Sequence, residues 1–238
     1  TEKHVLLFFH EQALQEVSET NGWTGSLADS SGDFLMVVDS NVGFSKVNPN
    51  ISRRISYSVD LSHDTPSAAR LEIQYTNQSR QLVADPCAVQ SAGRGGVPYQ
   101  QLKNSCYWNY LRVYTPEGAV LVSSSPFPMP EGALYQRIGY NDIEDTLRAY
   151  TSQDKSVFAG FFKVDIGETK IVAFEYRLPL AAVRSHNKRL IYNLFLQKQP
   201  GLSTTKVEVN VRLPDGYCMR QSDLSAIFVG PSEVEFKV

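Results

Sequence analysis

A chain of 238 residues with a formal net charge of −2 is long enough for one large all-β domain, or for a main domain with a smaller appendage. Its basic residues are scattered rather than clustered, which argues against nucleic acid as a partner, and no apolar run approaches the ~20 residues of a membrane-crossing helix. Twelve Tyr and twelve Phe favour strands over helices.

The chain opens at Thr1 without Met and enters an apolar stretch almost at once, as expected of a fragment whose anchor and targeting signal lie elsewhere. Residues 4–9 have the length and apolarity of a short strand. Residues 11–20 read as a helix with Ala13, Leu14 and Val17 on one face and Asn21-Gly22 as its stop. A second strand follows over 34–38. Strand, helix, strand suggests a small α/β piece over 1–50, the tail of an upstream domain of the same polypeptide. From 51 to 238 the pattern is that of an antiparallel two-sheet sandwich, immunoglobulin-like or jelly-roll-like. Ile55, Tyr57, Val59 and Leu61 alternate with polar residues, as do Leu71, Ile73 and Tyr75. Residues 78–101 form a long polar, Gly-rich loop.

Cys106 to Ser124 reads as a hairpin turning at Thr115-Pro116-Glu117-Gly118, with Trp108, Tyr110, Arg112 and Tyr114 on one face of its first strand. Pro126, Pro128 and Pro130 then mark an extended connection. Asn141 followed by Glu144 fits a capping box, and Ile143, Leu147 and Tyr150 keep helical spacing, so a short helix is expected there. The densest alternation lies between Lys155 and Leu213. It reads as two hairpins, turning at Asp165-Ile166-Gly167-Glu168 and around Gln199-Pro200-Gly201. Val234, Phe236 and Val238 supply a last edge or closing strand.

Chemistry is harder to find than architecture. None of the four His falls in a metal-ligand pair, and no Gly-x-Ser-x-Gly elbow is present. Asp29, Asp33 and Asp39, or Asp142, Glu144 and Asp145, lack the Asp-x-Asp-x-Asp-Gly order of a calcium loop. No cofactor or metal is called for. Cys87 and Cys106 flank the Gly-rich loop and are close enough in sequence to be bridged, leaving Cys218 unpaired; the alternative is three buried thiols. A bridge would place the chain in an oxidising, extracytoplasmic compartment. Trp108, Tyr110 and Tyr114 either form a sugar-stacking platform or fill the space between two sheets.

Several stretches in order along the chain, His4-Val5-Leu6-Leu7-Phe8-Phe9, Gly22-Trp23-Thr24-Gly25, Asp39 to Asn48, Cys106 to Tyr114 and Gln197-Lys198-Gln199-Pro200-Gly201, resemble the C-terminal half of large bacterial proteins grouped as domain of unknown function 4012. The resemblance implies a membrane-anchored envelope protein whose bulk lies outside the cytoplasm, and it brings no catalytic residues with it. Within the Asp39–Asn48 motif, Asn41, Lys46 and Asn48 are either turn chemistry that holds the backbone or a ligand loop. Three functions follow as expectations. The first is a non-catalytic extracytoplasmic structural or binding module, with cell-wall glycan or a surface protein as partner. The second is a carbohydrate-binding module using exposed aromatics. The third is an accessory domain of a cell-wall glycopolymer enzyme, signalled by two carboxylates across a groove or by an Arg with an acid.

Overall fold

The period-two alternation becomes a mainly β, two-layer sandwich in the computed structural model, which describes residues 5–62, 66–87, 97–129, 145–187, 189–202, 205–224, 226–230 and 232–237. Two helices, α1 (Gln12–Thr20) and α2 (Tyr99–Lys103), accompany the strands. In chain order these are β1 (Asp33–Asn41), β2 (Ile51–Asp60), β3 (Ala68–Asn77), β4 (Tyr107–Pro116), β5 (Val120–Ser124), β6 (Arg148–Ser152) and β7 (Lys155–Val164). They continue with β8 (Thr169–Arg177), β9 (Val183–His186), β10 (Arg189–Tyr192), β11 (Leu194–Leu196), β12 (Lys206–Arg212), β13 (Ala226–Gly230) and β14 (Glu233–Lys237). A five-stranded sheet runs β11-β1-β4-β7-β6, a seven-stranded sheet runs β13-β14-β12-β2-β3-β8-β5, and β9 with β10 forms a separate ribbon. Pairing is antiparallel except for β1 with β11 and β12 with β2, which are parallel.

The inner faces meet as alternation requires. Tyr57, Leu71, Ile73 and Tyr75 from one layer oppose Leu111, Val113, Phe158 and Phe162 from the other, all nearly solvent-free. Each such side chain contributes ~1.5–3 kcal/mol on burial, so this shared layer carries the fold. The outer face of the seven-stranded sheet is polar, with Arg54, Ser56 and Ser58 on β2 and Arg70, Glu72 and Gln74 on β3.

The expected strands of the sandwich are present, but the hairpins expected at 115–118, 165–168 and 199–201 are not. β4 and β5 lie in different sheets, so the turn between them carries the chain from one layer to the other. It closes one residue later than expected, Pro116 O accepting from the Ala119 N–H at 3.1 Å, with Gly118 at φ +81°. β7 and β8 are likewise in opposite layers, and so are β11 and β12. Phe158 of β7 therefore stacks on Phe174 of β8 across the sandwich, ring centroids 6.2 Å apart. Turn residues specify a reversal of direction but not whether the reversed strand pairs by its edge or by its face. The adjacent strands that do pair as hairpins here are β9 with β10 and β6 with β7, the latter turning on Gln153 and Asp154, both at φ near +50°. Positive φ at both central positions is what a type I′ turn requires, met here without the Asn-Gly that usually announces it.

Three further expectations change at the ends of the chain. β1 sits inside the five-stranded sheet between β11 and β4, so 33–41 is continuous with the sandwich rather than part of a separate piece. Residues 5–9 form no strand; Leu7 N–H donates to Trp23 O and Phe9 N–H to the Gln15 side chain. β14 is not an edge, because β13 pairs outside it. Helix α1 forms as read and is closed by Gly22 at φ +66°, with Trp23 N–H donating to Ser18 O at 2.8 Å. Its apolar face is not buried: Leu14 and Val17 are 46% and 51% exposed. The Asn141–Glu144 capping box and the acids Asp142 and Glu144 lie outside the described residues, but Leu147 and Tyr150, expected to continue that helix, do not: Tyr150 lies in β6.

Candidate functional site

The Asp39–Asn48 loop is held by its own side chains. Asn41 Nδ2 donates to Asn48 Oδ1 at 2.7 Å and to Ser45 O at 3.2 Å, while Asn41 Oδ1 accepts from the Gly43 N–H at 3.1 Å. Asn41 and Asn48 thus act as turn chemistry. Lys46 is fastened through its backbone N–H to Leu102 O at 2.8 Å and leaves its side chain at the surface. Phe44, at φ +54°, is 61% exposed at the loop tip.

This loop buries the aromatic strand beside it. A Cβ on Gly43 would lie 2.6 Å from Trp108 Cδ1, so only glycine lets the loop lie against the indole. Trp108 is 3% exposed, stacks on Phe161 and donates its Nε1–H to Cys87 O at 3.0 Å. Its face is the outer one of the five-stranded sheet, not the layer between sheets, which β4 supplies with Tyr107, Leu111 and Val113. Tyr110 and Tyr114 share the outer face and are half-buried. A stacking platform led by Trp108 is therefore unavailable: loops cover the ring before any sugar reaches it.

Cys87 and Cys106 are joined, with Cα atoms 4.7 Å apart, and Cys218 is a free, exposed thiol. Closing that loop stabilises by ~3 kcal/mol on the chain-entropy model. Cys87, Cys106 and Asp165 are also the one group of ligand-type atoms close enough for a metal among the described residues. Two of the three are spent in the disulfide and offer no thiolate.

Asp39 itself reaches a cleft of about 410 Å³, bordered by Asn48, Arg53, Tyr75, Tyr107 and Thr205. The cleft opens where β12 begins: its first pair is Lys206 with Arg54, so Ile51, Ser52 and Arg53 of β2 run past it. At the floor Arg53 Nη1 meets Asp39 Oδ2 at 2.5 Å, both side chains being almost wholly buried. Asp39 Oδ1 accepts from the Tyr75 hydroxyl and from Asn109 Nδ2, each at 2.7 Å. Arg53 Nη2 donates to Thr205 Oγ1 at 3.1 Å. The Gln199 amide clasps the same position, accepting from the Asp39 N–H at 2.8 Å and donating to the Asp39 O at 2.9 Å. Burial, with the Asp39 charge behind it, holds the Tyr75 and Tyr107 phenols above their ordinary value, so both stay protonated. Here is the Arg with an acid that the glycopolymer-enzyme reading requires. Yet both carboxylate oxygens are already engaged, Oδ2 by Arg53 and Oδ1 by Tyr75 and Asn109, so the acid is turned into the protein rather than toward a substrate. The floor is an anchor, and what a ligand meets is the rim.

Arg53 had a signal in the sequence. It holds the same parity on β2 as Ile55, Tyr57 and Val59, an inward position where a cation requires a buried acid. Asp33 and Asp39 hold inward positions on β1 beside Leu35 and Val37 in the same way. They do not gather around an ion with Asp29. Asp33 is fully buried and accepts from the Tyr57 and Tyr192 hydroxyls at 2.6 and 2.5 Å and from the Phe34 N–H at 2.7 Å. Burial pushes its carboxyl up from 3.8 to about 6, against those three donors. The folded state thus binds this proton more tightly than the unfolded chain, and stability gains from Asp33 as pH falls through 6. We expect the pH dependence of unfolding free energy between pH 8 and 4 to differ between the wild type and Asp33→Asn by on the order of 2–3 kcal/mol, the wild type gaining more on acidification. Parallel urea-unfolding curves across that range would show that Asp33 does not titrate there.

No family model matches the chain, and no curated protein does. A solved structure, the M1 zinc metallopeptidase from Deinococcus radiodurans, aligns with 79% of this chain and 38% of its own at 10% identity and a TM-score of 0.27, a level at which no shared fold or chemistry follows.

Proposed function

We propose that this chain is a non-catalytic, extracytoplasmic structural or binding module of a bacterial cell-envelope protein, carried beside an upstream domain of a membrane-anchored polypeptide. The observation that carries the reading is the Cys87–Cys106 disulfide, which tethers the 87–106 segment to the start of β4 and suits an oxidising compartment. The order of segments resembling the domain of unknown function 4012 proteins points the same way. The cleft beside Asp39 suits binding better than proton transfer, because its acid and its buried cation are already satisfied by each other. Cell-wall glycan or a surface protein is the partner this reading calls for.

Thiol titration of the protein in denaturant without reductant is expected to find one reactive thiol, Cys218, and three after reduction. Three without reductant would remove the compartment argument. A titration with peptidoglycan fragments separates the module from a carbohydrate binder working through aromatics: micromolar binding lost on Tyr114→Ala would move stacking into first place.

A further inference from the structure

The rim of the cleft beside Asp39 carries an arrangement that the fold alone does not explain. Arg54 and Lys206 are register partners on the parallel strands β2 and β12, so their Cα atoms lie about 4.8 Å apart across the ladder and both side chains leave on the polar outer face. Like charges directly opposite each other destabilise a strand pair. Elsewhere on this face Arg70 is matched by Glu72 and Glu175, Arg212 by Asp60, and Lys237 by Glu235, while Arg177, without an ion pair among the described residues, faces Ala68 and Val120 rather than a second cation. Among the described residues neither Arg54 nor Lys206 has an ion-pair partner. Below them Arg53 is neutralised by Asp39, so the two rim cations remain as the uncompensated charge of the cavity. Gln74, in register with Arg54 on its other side, and the Ser52 and Thr76 hydroxyls add neutral donors at the same mouth.

We propose that Arg54 and Lys206 form a binding site for a phosphate group carrying close to two negative charges, a terminal phosphate or a pyrophosphate. Two cations match such a dianion in charge, and a guanidinium fork beside an ammonium supplies charge-assisted donors to its oxygens while the neutral side chains reach the remainder. The repulsion built into the empty ladder is relieved by the ligand. The site does not depend on the compartment in which the module works.

The test uses calorimetric titration of the full chain with inorganic pyrophosphate and with glucose 1-phosphate, against sodium chloride at matched ionic strength. Saturable binding of the phosphates and none of chloride is expected. Arg54→Gln and Lys206→Gln should each weaken it by about tenfold or more, the size of one lost charge-assisted contact. Arg177→Gln, an exposed cation on a different strand of the same sheet, should leave it unchanged. Tighter binding of glucose 1-phosphate assigns a sugar-borne phosphate, and tighter binding of pyrophosphate a free one. Absence of saturable binding overturns the site, as does equal weakening by Arg177→Gln. Because all three positions are solvent-exposed, the variants fold, and a thermal melt of each without ligand verifies it.

Discussion

Arg53→Met is expected to lower the unfolding free energy by about 3–5 kcal/mol. The physical reason is the partner left behind. Asp39 is almost wholly buried, and without Arg53 its carboxylate keeps only the Tyr75 hydroxyl and the Asn109 amide as donors. A carboxylate out of water without a cation loses far more than the pair contributes when intact. The double variant Arg53→Met/Asp39→Asn should recover a good part of the loss, because it removes the stranded charge as well as its partner. Urea unfolding of both single variants and the double measures this. Additive losses would mean that the two side chains stabilise the fold independently, and the ion pair would not then be the anchor of the cleft.

The second large effect lies in the layer between the sheets. Phe127→Ala is expected to cost about 3–5 kcal/mol in the same unfolding measurement. Phe127 has no exposed surface and stacks on Phe174 at 5.5 Å while tilting against Phe162 at 6.2 Å. Its ring occupies the space that Gly160 of β7 leaves: a Cβ there would lie 2.4 Å from the ring's Cδ1. Gly160→Ala should therefore be destabilising too, through overpacking rather than through a cavity. Combining it with Phe127→Leu should be milder than the sum of the two, since the smaller side chain gives the new methyl room. Strict additivity would separate the two residues energetically and contradict the packing.

Phe127 also marks where reading the sequence stops. It sits between Pro126 and Pro128 in a stretch whose prolines announce an extended connection, most of which lies outside the described residues. That one of its residues plugs the core cannot be seen locally, since the glycine it covers is 33 positions later in the chain. The Cys87–Cys106 bridge, by contrast, was legible, because loop length and flanking composition bear directly on closure. Trp108 was half legible. Its strand and its face followed from alternation, but burial on the outer side depends on Gly43 bringing a loop over the ring from a distant segment.

By itself the sequence determined most of the core strands and which side of each is apolar, because side chains alternate with period two whatever the strand pairs with, though it also suggested a strand over 4–9 that residues 5–9 do not form. It also determined the reach of the short turns and of the disulfide, which are local properties of the chain. Only the tertiary structure decided that β4 and β5, β7 and β8, and β11 and β12 part company into opposite layers, and that β1 enters the middle of a sheet. The same decision placed Arg53 over Asp39 and brought Lys206 beside Arg54. Partner choice between strands depends on which faces bury one another across the whole chain, and no window of neighbouring residues contains that sum.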